Sequence, residues 1–405
     1  MTARSALGTV PRTVPFFVPE VTPEAQQAAA RVLASGWLTT GPEVSAFEKE
    51  FSAWLGVDHA VAVSSCTSAI EISLMALDLP PGAKVLTTTL TFCGAVHAIV
   101  HAGLRPVLVD VNPETLMPDT RTIRAALQRC GGVDAMLALH FAGHPASVAA
   151  MADAAGLPLE RVVEDAAHAL GTWVENIPVG AISAATCFSF YATKNLPIGE
   201  GGMITTNDPR VAEFARRARL HGMSRDAWKR YLPGSGSGSS WRYAVDIPGL
   251  KANFTDLQAA IGSGQLRRLH TWQQRREELA RRYQTQLSSI PGLGLPLWPE
   301  TGRHAWHLYV VRIEEAFGLS RDDVIDRLAQ RGVGCSVHFI PIHHHAYYQD
   351  LLRPDPEDYA GAEAAFNAVV SLPLYPTMTD EDIDYVCSEL AAIQRFRGIP
   401  RNRNA

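Results

Sequence analysis

Lys194 is one of five lysines set against thirty-one arginines, and it lies in the run CFSFYATKNLPIGEGG, residues 187–202. An apolar β-type stretch over residues 184–191 delivers the lysine to a turn, where Gly199, Gly201 and Gly202 let backbone approach a ligand closely. Twenty-nine residues earlier a second apolar stretch ends on acid, Val162-Val163-Glu164-Asp165, and is followed by Ala166, Ala167 and His168. An amine and a carboxylate at the ends of successive strands are what pyridoxal phosphate (PLP) requires. The amine forms a Schiff base, and the carboxylate partners the pyridinium nitrogen.

The stretch VSSCTSA, residues 63–69, ends another apolar run in small hydroxyl residues, with a helix expected to follow over Ala69–Leu79. Amides and hydroxyls at a helix N-terminus form an anion site. Taken alone the segment reads as well as a capped helix; beside Asp165 and Lys194 it is read as the seat of a phosphate. After the next apolar run, Thr91 and Phe92 offer an aromatic ring that suits either a stack on a cofactor or a place in the core.

These residues need a scaffold that gathers strand ends. β-rich runs alternate with helical patterns at Ala60–Val63, Lys84–Thr88, Pro106–Val111, Ala135–His140, Arg161–Val163, Thr186–Tyr191 and Gly202–Thr206. That alternation predicts an α/β fold with a mostly parallel central sheet wrapped by helices. Near Ala259 it stops, and a charged helical segment, Leu266–Leu287, leaves the large unit; its arginines near residue 275 suit a solvated or interdomain face. Beyond Pro291 a smaller α+β unit is expected, with strand His307–Ile313, helix Arg321–Arg331, strand Gly334–Phe339 and helix Asp380–Phe396. The organisation expected is an N-terminal arm (1–20), a large domain (21–265), a smaller C-terminal domain (266–396) and a tail (397–405). The stretch PGSGSGSS at 233–240 reads as a flexible loop inside the large domain.

A chain of 405 residues with 47% hydrophobic content has enough apolar matter for two cored domains. A net charge of −5 gives no basic footprint for nucleic acid. No apolar block has signal-peptide length or the roughly 20 residues that span a bilayer, so no membrane partner and a cytoplasmic location are expected. The six cysteines are scattered without a Cys-x-x-Cys pair, which argues against zinc and a disulfide framework. Nor are His343, His344 and His345 read as a metal site, because adjacent residues cannot all face one ion and no acid or cysteine completes a shell.

Several blocks, in order, resemble the DegT/StrS-type sugar aminotransferases. They are Thr40-Gly41-Pro42-Glu43, Ser65-Cys66-Thr67-Ser68, Glu164 to His168, the Phe-Ser-Phe block running to Lys194 and Asn195, Gly199 to Gly202, and KANFTDLQAA at 251–260. The likeness spans roughly residues 15 to 395. It implies the fold type I PLP-dependent transferase architecture, similar to aspartate aminotransferase. It also implies a homodimer with shared active sites, and PLP cycling through pyridoxamine phosphate (PMP) as an amino group passes from glutamate to a nucleotide-linked keto sugar. By the same resemblance Lys194 forms the Schiff base and carries the proton, Asp165 holds the pyridinium charge, and His168 contacts the phenolic oxygen. Phe92 stacks on the ring, while Cys66, Thr67 and Ser189 line the phosphate cup. Asn253 would reach the phosphate of the neighbouring subunit's cofactor.

The run HGMSRDAWKRY at 221–231, then Trp241, HAWHL at 304–308 and VHFIPIHHH at 337–345, resemble the branch that aminates C-4 of UDP-linked sugars. The expected acceptor is a UDP-4-keto-6-deoxyhexose touched by Trp228, Lys229, Arg230, Tyr231 and His338. Aromatic rings suit the apolar C–H faces of a sugar, and Arg or Lys its diphosphate. His338 alone suits a packed core position as well. Cys66 stands where Gly is common in relatives, and Ala252 where many carry Tyr. A 3-keto sugar or cyclitol ketone remains an alternative acceptor, and a PLP-binding regulator without turnover an alternative class. Members of the family that remove a hydroxyl lack the lysine, so Lys194 favours transamination.

Overall fold

The computed structural model describes residues 12–223 and 243–396. Seven short strands form the main sheet: β1 (His59–Val63), β2 (Lys84–Thr88), β3 (Arg105–Val109), β4 (Ala135–Leu139), β5 (Val162–Asp165), β6 (Ala185–Ser189) and β7 (Gly202–Thr206). Their spatial order is β1-β7-β6-β5-β4-β2-β3. The pairs from β3 through β2, β4 and β5 to β6 are parallel, and β7 alone runs against its neighbours. Strands β4 to β7 are buried along their whole length, which is why they read as near-continuous apolar runs. Parallel pairing puts the C-terminal ends of the strands on one edge, and the register sets Gly202 opposite both Val63 and Ser189 there. Open α/β sheets bind their ligands along that edge.

Glycine lets two of the covering helices meet closely. Helix Asp256–Leu266 lies on helix Pro23–Ser35 at Gly264, where a Cβ would sit 2.6 Å from Ala25 Cα. A second sheet, antiparallel, is built from β8 (Leu293–Gly294), β9 (Tyr309–Ile313) and β10 (Val369–Leu372). Helix Leu269–Leu287 packs Leu279, Tyr283 and Leu287 into one core with Ile383, Val386 and Leu390 of helix Asp380–Arg395. Two of its arginines, Arg275 and Arg282, face that neighbour, and a third is buried elsewhere in the core. Arg275 bonds Met378 O and Asp380, Arg282 pairs with Asp384 and Asp380, and the fully buried Arg276 donates to Trp306 O and Leu374 O.

Three sequence expectations shift. The helix after Ser65 runs Cys66–Ala76, starting earlier than Ala69, because the Ser65 side chain accepts the Ser68 amide and caps it there. The charged helix begins at Leu269, since helix Asp256–Leu266 ends first. Residues 334–339 are not a strand but touch β10 through a single bridge, Ser336 to Ser371. The strand beside β9 is instead Val369–Leu372, which follows helix Ala360–Ala368 with no turn to announce it. The arm is pinned to this end of the chain: Val14 donates to Gly332 O and accepts from the Gly334 amide, each at 2.8 Å. Among the described residues no helix is long and apolar enough to cross a membrane.

Candidate active site

A cavity of about 370 Å³ opens at the strand-end edge, and Cys66, Thr67, Phe92, Asp165, His168, Ser189, Lys194 and His338 all line it. Strand alternation sorts the two acids of β5. Glu164 is bonded by His140 Nε2 at 2.6 Å and Thr186 Oγ1 at 3.1 Å, away from the cavity. Burial works to raise the Glu164 pKa, yet those bonds hold it below the usual carboxylate range. Asp165 faces the cavity less well satisfied. Its Oδ1 accepts the Ala167 amide at 3.0 Å, with Cys66 Sγ at 3.9 Å, and among the described residues Oδ2 receives no hydrogen bond. Burial pushes the Asp165 pKa up, against the Ala167 amide and Lys194, which pull it down. A buried carboxyl with an open oxygen fits a cationic ring N–H, which would supply both the missing bond and the missing charge.

Lys194 is held by a doubled-back turn. Its amide donates to Tyr191 O at 2.9 Å, Phe190 N–H to Gly201 O at 2.9 Å, and Ile198 N–H to Phe190 O at 3.0 Å. Burial lowers the amine to about 8, with Asp165 and Cys66 acting the other way. A lysine so placed is in part neutral near physiological pH and can act as a nucleophile.

The glycine return also shapes the anion seat. A Cβ on Gly202 would lie 2.5 Å from Ser65 C and 2.7 Å from Cys66 N, so only glycine lets β7 lie against the N-terminus of helix Cys66–Ala76. The first amides of a helix have no intrahelical acceptor, and the Thr67 and Ser189 hydroxyls line the same cavity. A phosphate fits this set of donors.

His168 Nδ1 accepts the Ala142 amide at 3.2 Å, and burial drives its pKa well below that of free imidazole. The neutral ring therefore carries its proton on Nε2, as a donor suited to a phenolate oxygen. His307 lines the cavity beside it, ring centroids 4.4 Å apart, and burial lowers its pKa strongly too. His338 bonds Ser371 through Nδ1 at 2.8 Å and stacks on Phe16 at 5.9 Å, its pKa lowered to about 4 by burial. It is thus both packed and cavity-facing.

Not every expected residue joins the cavity. Asn253 is absent from its lining: its Nδ2 donates to Thr40 Oγ1 at 2.8 Å, and its Oδ1 accepts from Lys251 Nζ at 2.7 Å. Trp228, Lys229, Arg230 and Tyr231 lie outside the described residues, as do Trp241 and the 233–240 stretch. Conversely, Phe16, Phe17, Tyr191, His307 and Phe339 line the cavity without having been singled out. Tyr191, His307 and Phe339 lie inside the runs FSFYATK, HAWHL and VHFIPIHHH, which carry the resemblance and so point to them. The expectation that no acid joins the three histidines is corrected. The fold brings Glu363, from helix Ala360–Ala368, into hydrogen bonds with both His343 and His344.

Comparison with known proteins agrees with this geometry. A model of the DegT/DnrJ/EryC1/StrS aminotransferase family matches residues 19–391. The chain is 44% identical over 375 residues to the spore coat polysaccharide biosynthesis protein SpsC of Bacillus subtilis, covering 92% of this chain and 95% of that one. Spr1654 of Streptococcus pneumoniae, assigned as a sugar aminotransferase and solved in a PLP form, superposes with a TM-score of 0.84 at 27% identity, covering 95% of this chain and 99% of that one. Helicobacter pylori PseC, an aminotransferase involved in the biosynthesis of pseudoaminic acid, gives a TM-score of 0.84 at 25% identity, over 95% of this chain and 100% of that one.

Proposed function

The chain belongs to the DegT/DnrJ/EryC1/StrS aminotransferase family, and from that premise we propose that it uses PLP to move an amino group from glutamate to C-4 of a nucleotide-linked keto sugar, a UDP-4-keto-6-deoxyhexose. The observation that carries the cofactor reading is the facing pair in one cavity: the Lys194 amine, lowered to about 8, and the Asp165 carboxyl with its open oxygen. PLP, when bound, supplies an aldehyde that takes up amino groups and a ring that accepts electrons from the carbon being deprotonated. The residues divide the remaining work. Lys194 Nζ holds the proton taken from the donor carbon and returns it to the acceptor carbon. Asp165 keeps the ring nitrogen protonated, His168 donates from Nε2 to the ring oxygen, and the exposed Phe92 covers one face. The amides of Cys66 and Thr67, with the Ser189 hydroxyl, anchor the phosphate.

Neutral imidazoles and the absence of arginine among the described lining residues suit an uncharged, hydroxyl-rich ketone. The part SpsC plays in polysaccharide biosynthesis and PseC in pseudoaminic acid biosynthesis supports a sugar as acceptor. The C-4 position and the UDP carrier rest on the resemblance of residues 221–231 and 304–345 to C-4 aminotransferases. We further propose a homodimer in which Asn253, anchored outside its own cavity, serves the partner's cofactor phosphate.

The test is a panel of UDP-, dTDP- and GDP-linked 4-keto-6-deoxy sugars, 3-keto sugars and a cyclitol ketone, each with glutamate, read by mass spectrometry for the amine. Turnover of the UDP-4-keto sugar supports the assignment. Turnover confined to a 3-keto sugar or the cyclitol overturns it while leaving transamination in place.

A further inference from the structure

We propose that His343, His344 and Glu363 form a divalent transition-metal site, fitted to zinc, which clips helix Ala360–Ala368 to the strand end that leads to Phe92. The short turn Ile342–His344 sets the two rings nearly perpendicular, at 80° with centroids 4.7 Å apart. That geometry lets neighbouring residues aim at one point. Both Nε2 atoms meet the same carboxylate oxygen, Glu363 Oε1, at 2.8 Å from His343 and in a hydrogen bond from His344.

The three ligand atoms lie within 4.8 Å of one another. Tetrahedral zinc, with bonds of about 2.0–2.1 Å, needs ligands about 3.3–3.5 Å apart. His344 and Glu363 are each about one-third exposed, so rotation of their side chains can close that gap, and an ion can enter from solvent. Two imidazoles and a carboxylate form a familiar zinc set and leave a fourth position for water. An ion takes an Nε2 lone pair only from the tautomer that carries its proton on Nδ1, so binding selects that tautomer.

The surroundings orient the ligands as metal sites require. His343 Nδ1 lies 2.7 Å from Thr89 Oγ1 and can donate to it, and its ring stacks on Tyr359 at 4.4 Å. The His344 ring packs edge-on against Phe366 at 5.3 Å. Thr89 also accepts the Ile342 amide at 2.8 Å and donates its own amide to Val109 O at 2.9 Å. Thr89 lies just past β2, and Thr91 and Phe92 follow it into the cavity wall. An ion here would stiffen the wall carrying Phe92 without touching the cofactor.

Titration of Zn²⁺ into PLP-loaded, chelator-stripped enzyme, followed by calorimetry, tests this against His344→Ala, Glu363→Gln and the double variant. The expected result is one Zn²⁺ per chain in the unaltered protein, an affinity at least about tenfold weaker in each single variant, and a zinc-induced rise in melting temperature lost in the double variant. Should the double variant fail to fold, His344→Gln, on a partly exposed ring, carries the comparison. Absence of binding, or binding unchanged by these substitutions, overturns the proposal.

Discussion

Asn195 Oδ1 lies 3.1 Å from His307 Nδ1, and the same side-chain amide donates from Nδ2 to Ala305 O at 2.8 Å. The residue next to Lys194 thus clamps the segment that runs into β9. Because Nδ2 is spent on a carbonyl, Oδ1 must accept, so His307 donates from Nδ1 and keeps a bare Nε2. Asn195→Ala strands a buried carbonyl and a buried ring N–H, at a cost of about 1–3 kcal/mol. Urea unfolding should show that loss; a change smaller than about 0.5 kcal/mol would mean the clamp carries no weight.

Lys194 must be neutral to capture an aldehyde, and burial sets its amine at about 8. The rate at which the apoenzyme covalently takes up PLP should therefore climb with pH and level off above about 8, as the fraction of free base saturates. The same shift has a sign for stability. The folded chain binds this proton less tightly than the unfolded chain, so the group's contribution rises from pH 8 toward the ordinary lysine pKa of 10.5. Stopped-flow absorbance across pH 6 to 11 reads the capture step, and an inflection at the ordinary lysine value would contradict the buried amine.

Asp165→Asn keeps the shape of the side chain but removes the charge that holds a ring nitrogen protonated. Turnover should fall by at least about a hundredfold while the folded structure persists. Steady-state kinetics beside circular dichroism separates the two effects, and normal turnover in a folded Asp165→Asn protein would dismiss the role.

Asn253 offers a test of the shared site. Subunits carrying Lys194→Ala and subunits carrying Asn253→Asp are each expected to be inactive alone. Mixed under exchange conditions they should regain activity, because one site of the hybrid collects both defects and the other none. Confirmed exchange without recovery would place Asn253 in its own subunit's chemistry or in none.

How much of this was legible in the sequence follows from the range of each contact. Asp165 and Lys194 were readable because apolar strand, acid or lysine, and glycine return are all local, and the strand ends then coincide through parallel pairing. The strand end and helix start at Ser65 to Ser68 were readable for the same reason, apart from the first residue of the helix, which the Ser65 cap decides. His307 comes more than a hundred residues after Asn195 and His168, and only tertiary packing brings them together. Phe16 reaches the cavity because Val14 bonds to residues 332 and 334, a pairing no local pattern announces. No local pattern joins Glu363 to His343 and His344, since it lies in another helix, across a turn and two short helical segments.

The most direct test of the account is to reduce the PLP-loaded enzyme with borohydride, which fixes the cofactor to whichever amine holds it, and to map the modified peptide by mass spectrometry. With only five lysines in the chain the answer is unambiguous. The cofactor mass should appear on the peptide containing Lys194 and vanish in Lys194→Ala. Label on Lys49, Lys84, Lys229 or Lys251 instead, or on no lysine of an enzyme that still turns over, would contradict the assignment of this cavity.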